Sequence, residues 1–152
     1  MTRLLLGADR SAEIAAAVDA VWEEAERRPT ALLAIADEPL RGEVRRILVR
    51  GWFTVVEPPE GELRPAGEDP AAGAVLADLR TPAGWDGVRR LRLDPRAGRI
   101  PVVGLVSAPR EADRSRARQL GVACLVPVPF APEGLLAVME RVTEGPARDD
   151  RG

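Results

Sequence analysis

Short apolar runs alternate with amphipathic segments along most of the chain. Residues 31–36 (ALLAIA) form a continuous apolar run of strand length, closed by Asp37-Glu38-Pro39. A run that is apolar at every position predicts a strand buried on both faces, as in a parallel sheet. The period then changes. Over residues 40–50, Leu40, Val44, Ile47 and Leu48 share one helical face, and Gly51 stands at the C-terminal end. Further strands are predicted at 52–56, 74–79 (AVLADL), 100–107 (IPVVGLVS) and 123–128 (ACLVPV). Helices are predicted at 85–93, closed by Asp94-Pro95, at 110–120, followed by Gly121, and at 132–143. The stretch 58–73 is rich in Pro, Gly and acids and predicts a short helix at best, hence a weak second crossover. Ahead of this region, Leu4–Leu6 predicts a short strand. Ser11 predicts the N-cap of a helix over 12–28, with the stripe Ile14, Val18, Val21, Trp22 and Ala25. Arg27 and Arg28 suit its C-terminal end and Pro29 stops it.

The resulting order from residue 31 is β-α-β-(α)-β-α-β-α-β-α. Such alternation predicts an α/β domain with a parallel sheet and helices on both faces. The division is a 1–30 N-terminal extension, a 31–144 domain and a 145–152 disordered polar tail. In sheets of this kind ligands meet the carboxyl ends of the strands, at the topological switch point. Asp37 and Asp78 both fall at that edge.

The chain has 152 residues, one domain's worth. A net charge of −2 gives no global field toward DNA or an anionic membrane. No apolar run reaches the roughly 20 residues that a spanning helix needs, and the apolar start is too short for a signal-peptide core. A cytoplasmic location is the expectation. The absence of histidine removes Ser-His-Asp triads and His metal sites. The single cysteine, Cys124, excludes an internal disulfide and reads as a small buried hydrophobe. All 22 basic residues are arginine, a bias that fits a GC-rich bacterial genome.

Four landmarks in order carry a family resemblance. They are Ile35-Ala36-Asp37-Glu38-Pro39, Val75-Leu76-Ala77-Asp78-Leu79-Arg80-Thr81-Pro82 with Trp85-Asp86-Gly87, Ile100-Pro101-Val102-Val103-Gly104-Leu105, and Gly121 through Val128-Pro129-Phe130. Residues 31–142 resemble the receiver domain of bacterial response regulators (CheY-like). The resemblance implies a flavodoxin-like fold with strand order 2-1-3-4-5. It implies Asp78 at the phosphoacceptor position, Asp37 and Asp78 as Mg²⁺ ligands with the Arg80 carbonyl, and a cis Val128–Pro129 peptide.

The chain departs from that family at the positions that handle the phosphoryl group. Ala36 stands where the family has its first acid. Val106 replaces the Ser or Thr ending the fourth strand, with Ser107 one place on. Leu125 replaces an aromatic, and Val128 replaces the lysine before Pro129. Drift against lysine alone would leave arginine, and valine keeps neither charge nor donors. Phosphoryl transfer depends on positioning and charge neutralisation, so these losses together impair it. Arg80, two residues beyond Asp78, is a possible permanent cation in place of Mg²⁺.

The reading is therefore a pseudo-receiver: a phosphorylation-independent interaction module of bacterial two-component-type signalling, not an enzyme, with no cofactor. The alternative is a weakly active single-domain response regulator, phosphorylated on Asp78 with Mg²⁺. A nucleotide-binding protein is disfavoured, because Asp-Glu-Pro stands where a Gly-rich loop would follow the first strand. Partners are expected to be a histidine kinase, another signalling protein or a second copy, with no nucleic acid and no membrane. The docking surface is either the helix 4–strand 5–helix 5 face or the Ile14, Val18, Val21, Trp22 stripe, which could equally pack on its own chain. The arginines at 110, 114 and 118, and at 89, 90, 92, 96 and 99, read as solvated faces interleaved with acids.

Overall fold

A computed structural model describes residues 12–18, 28–58, 73–95 and 98–151, the last helix with side chains up to Glu144. The strand expected at 4–6, the stripe residues Val21, Trp22 and Ala25, and most of the weak crossover lie outside these residues. Residues 12–18 are helical (α1). Then follow β1 (Thr30–Ala34), α2 (Glu38–Arg50), β2 (Thr54–Val56), β3 (Ala74–Asp78), α3 (Pro82–Leu93), β4 (Val102–Val106), α4 (Glu111–Gln119), β5 (Cys124–Pro127) and α5 (Pro132–Arg151). All strand pairings are parallel and the sheet order is β2-β1-β3-β4-β5, the flavodoxin-like arrangement. Pro127 is tolerated in β5 because that strand is at the edge.

Successive residues of each strand feed opposite layers, so the fully apolar runs serve two cores at once. Ala31, Leu33 and Ile35 pack with Leu40, Val44 and Leu48 of α2 and Leu135 and Met139 of α5. Leu32 and Ala34 face the other way, toward Trp85, Val88 and Leu91 of α3 and Ala117 of α4. Burying a side chain the size of Leu or Val is worth about 1.5–3 kcal/mol each, so these two layers dominate the stability.

Several local expectations are corrected. Asp37 is not a strand end: it is the N-cap of α2, which starts at Glu38 with Pro39 in its first turn. Its side chain satisfies an orphan helix N–H, which an extended strand residue could not do. Gly51 ends α2 at an ordinary φ of −88°, and the left-handed residue is Trp52, at φ 70°. Gly51 is needed for space instead, since a Cβ there would lie 2.3 Å from Leu136 Cδ1. Consequently Trp52 belongs to a turn, and β2 begins only at Thr54. The backbone of α5 runs helically to Arg151. Extending an existing helix requires no new nucleus. Cys124 is partly buried against the α2–α5 core.

Arg92 is the clearest departure from the solvated arginine face. Its Nε donates to Leu120 O at 2.7 Å, Nη1 to Gly98 O at 3.1 Å and Ile100 O at 2.7 Å, and Nη2 to Gly121 O at 2.9 Å. One guanidinium thus ties α3 to the start of β4 and the end of α4, at the edge opposite the carboxylates. Burial pulls its pKa below the ordinary value. Charged donors to carbonyls make strong hydrogen bonds, and Arg92→Ala is expected to cost about 2–3 kcal/mol in urea unfolding. Arg92→Lys should recover little of this, because an ammonium cannot reach all four carbonyls.

Candidate functional site

The carboxyl edge of the sheet gathers the loops after β1, β3, β4 and β5. Ala34 pairs with Ala77 and Asp78 with Leu105, so the ends of β1, β3 and β4 are level. Asp78 is the last residue of β3 and its side chain is only 8% exposed. Thr81 caps α3, its hydroxyl accepting from Gly84 N–H at 3.4 Å, and Pro82 opens the helix. Gly84 permits this tight turn: a Cβ there would sit 1.9 Å from Asp78 O. The sharp turn from β3 into α3 leaves Arg80 directly beside the strand end.

Arg80 binds both carboxylates. Its Nε donates to Asp78 Oδ1 at 2.9 Å, and Nη2 donates to Asp78 Oδ2 at 3.0 Å and to Asp37 Oδ2 at 3.0 Å. The Arg80 backbone N–H also reaches Asp78 Oδ1, at 3.1 Å. The remaining oxygen, Asp37 Oδ1, accepts from Leu40 N–H at 3.4 Å. Every carboxylate oxygen of the pair is therefore taken by an N–H donor. The fork geometry is the bidentate one that guanidinium favours with carboxylates.

The electrostatics follow from these contacts. The Arg80 guanidinium, with help from Leu40 N–H, holds the Asp37 carboxyl below its ordinary value of 3.8. The Asp78 carboxylate raises the Arg80 pKa further above its ordinary value, against the effect of burial and with a smaller push from Asp37. Asp37 is 40% exposed and Arg80 26%, so the network runs from a buried carboxylate out to solvent.

Among the described residues, none of the other sequence-predicted positions bonds to this pair. Val128 follows β5, takes a backbone bond from its N–H to Val106 O at 2.7 Å, and packs its side chain on the α2–α5 core. The Val128–Pro129 peptide is cis, as the resemblance implied. Val106 and Leu125 pack into the α3–α4 core. Ser107 and Ala36 are exposed. Ile14 and Val18 on α1 are 58% and 46% exposed. Arg114 and Arg118 make only exposed contacts with Glu111, as a solvated face should. Sequence reading missed Arg116, which stacks on Trp85 from outside the four-residue row of arginines. An aromatic in the first turn of α3 facing a neighbouring Arg-rich helix was the available signal.

Arg80 and the Leu40 N–H stand at the Asp37 and Asp78 oxygens that the resemblance assigns to Mg²⁺, an ion that takes oxygen ligands in a near-octahedral shell. Among the described residues, no three His, Cys, Asp or Glu side chains converge on a point.

No protein-family model matches the chain, and no curated protein matches its sequence. Solved structures match its fold. Chemotaxis protein CheY4 of Vibrio cholerae is 18% identical with a TM-score of 0.68, over 76% of this chain and 98% of that one. The receiver domain of a sensor histidine kinase from Pseudomonas aeruginosa is 19% identical with a TM-score of 0.65, over 78% and 99%; that crystal has a magnesium ion coordinated in its active-site cleft. A signal receiver domain of a histidine kinase from Syntrophus aciditrophicus is 17% identical with a TM-score of 0.64, over 79% and 93%. The chain thus has the fold of two-component receiver domains. No described helix is long and apolar enough to cross a membrane.

The lowered Asp37 pKa sets a pH dependence. Its contribution to stability is present above the unfolded-state pKa and is lost as pH falls through the lower folded value, so below about pH 4. Urea midpoints measured from neutral to acid pH should fall more steeply in this region for the native chain than for Asp37→Asn.

Proposed function

We propose that this chain is a receiver-like interaction module of two-component-type signalling whose output does not depend on phosphorylation. The observation that supports this reading is the Arg80 tie. A cation built into the chain occupies the carboxylate oxygens to which a receiver's Mg²⁺ would bind. Val128, Val106 and Ala36 point the same way, since none supplies the charge or hydroxyl that a phosphoryl oxygen needs. The module acts by presenting a surface to a protein partner: a histidine kinase, another signalling protein or a second copy. The α4–β5–α5 face is one candidate. The exposed Ile14 and Val18 of α1, with Val21 and Trp22 of the same sequence stripe, are the other. An apolar stripe that includes Trp is a good anchor.

A second reading is favoured by one observation, the retention of Asp78 at the end of β3. In that reading a donor phosphorylates Asp78 weakly after Mg²⁺ displaces Arg80. Incubation with acetyl phosphate and Mg²⁺, followed by intact mass measurement, separates the two. The proposal expects no phosphoryl adduct on the native chain. An adduct that Asp78→Asn abolishes would overturn it in favour of the second reading.

A further inference from the structure

A cavity of about 640 Å³ opens beside the Arg80 tie, between the β3–α3 and β4–α4 connections. Its volume lies in the range of small-molecule sites. Its lining brings Pro82 and the nearly buried Leu79, Trp85 and Val106 together with Arg110 and Arg116. The cations differ in how far they are already satisfied. Arg80 is already paired with Asp78 and Asp37. Arg116 lies over the Trp85 ring, 4.9 Å from its centroid, and has no ion pair among the described residues. Stacking uses the face of a guanidinium and leaves its edge donors free. Arg110 has only a long contact, 3.9 Å, to Asp113 Oδ2. That carboxylate, the acid of the lining, is also held at the α4 N-terminus by the Arg110 backbone N–H at 3.2 Å. Ser107 adds an exposed hydroxyl at the rim.

From this combination we propose that the cavity binds a small organic anion with a flat apolar body, of the aromatic carboxylate class. The body lies against Trp85, Pro82 and Val106, and the carboxylate takes the free donors of Arg116 and Arg110. The cavity sits on the β4–α4 connection, so its ligand can set the position of α4 without a phosphoryl group. That signalling consequence rests on the proposed function; the binding itself does not.

Two-dimensional ¹⁵N–¹H NMR of the full chain tests the site, with 2-naphthoate as probe and 2-naphthamide as its uncharged counterpart. Naphthoate is expected to give saturable shifts at the Trp85 indole and at the amides of Ser107, Ala108 and Arg110 to Asp113. Arg116→Gln and Arg110→Gln should each weaken binding about tenfold, and Ala112→Leu, which fills the cavity, should abolish it. Naphthamide should give no saturable shift there. The inference is overturned if naphthoate gives no saturable shift by about 10 mM, if naphthamide matches it, or if the arginine variants bind unchanged. A phosphoryl adduct in the mass experiment would overturn the proposed function alone, and a failed titration would overturn the cavity assignment alone.

Discussion

Two carboxylates converge at the carboxyl edge of the sheet, and one of them is almost wholly buried. Like charges so placed require a counter-ion, because a buried charge left unpaired is strongly destabilising. Arg80 supplies it from within the chain, reaching two residues back to Asp78 and 43 residues back to Asp37. The loops after β1 and β3 are thereby tied by one side chain. A cation that belongs to the polypeptide is always present, whereas a metal ion comes and goes with its concentration. The Asp78 end of the tie is out of solvent and is weakly screened by salt.

The remaining departures from the receiver pattern become intelligible around this tie. Val128 and Val106 add to the apolar layers on either side of the sheet, where the family's residues would address a phosphoryl group. The scaffold beneath them is held from the opposite edge by Arg92, whose donors all go to backbone carbonyls. The two arginines illustrate different uses of one side chain: Arg80 neutralises carboxylates, and Arg92 organises loops.

The sheet was legible in the sequence because five short, mostly apolar runs alternate with helical segments, and such runs are best covered on both faces. Their order came from the family landmarks and not from periodicity. Asp37 at the edge was legible too, but its role as a helix cap was hidden by an apolar run that continued to Ala36. Trp52 looked like the start of a strand since aromatics favour strands; its left-handed backbone is dictated by the turn after α2, which Leu136 crowds from α5. Arg92 could not be told from its solvated neighbours, because its partners are carbonyls distant in sequence, and carbonyls leave no compositional trace. The Arg80 contact was foreseeable from the two-residue spacing to Asp78, but the simultaneous reach to Asp37 required the β1–β3 register.

Arg80 is the cation that ties the carboxylate pair. The decisive measurement is a high-resolution crystal structure determined in the presence of Mg²⁺. Arg80 on Asp37 and Asp78, with no metal between them, is the expected result. Mg²⁺ bound to both carboxylates, with Arg80 turned out to solvent, would refute it.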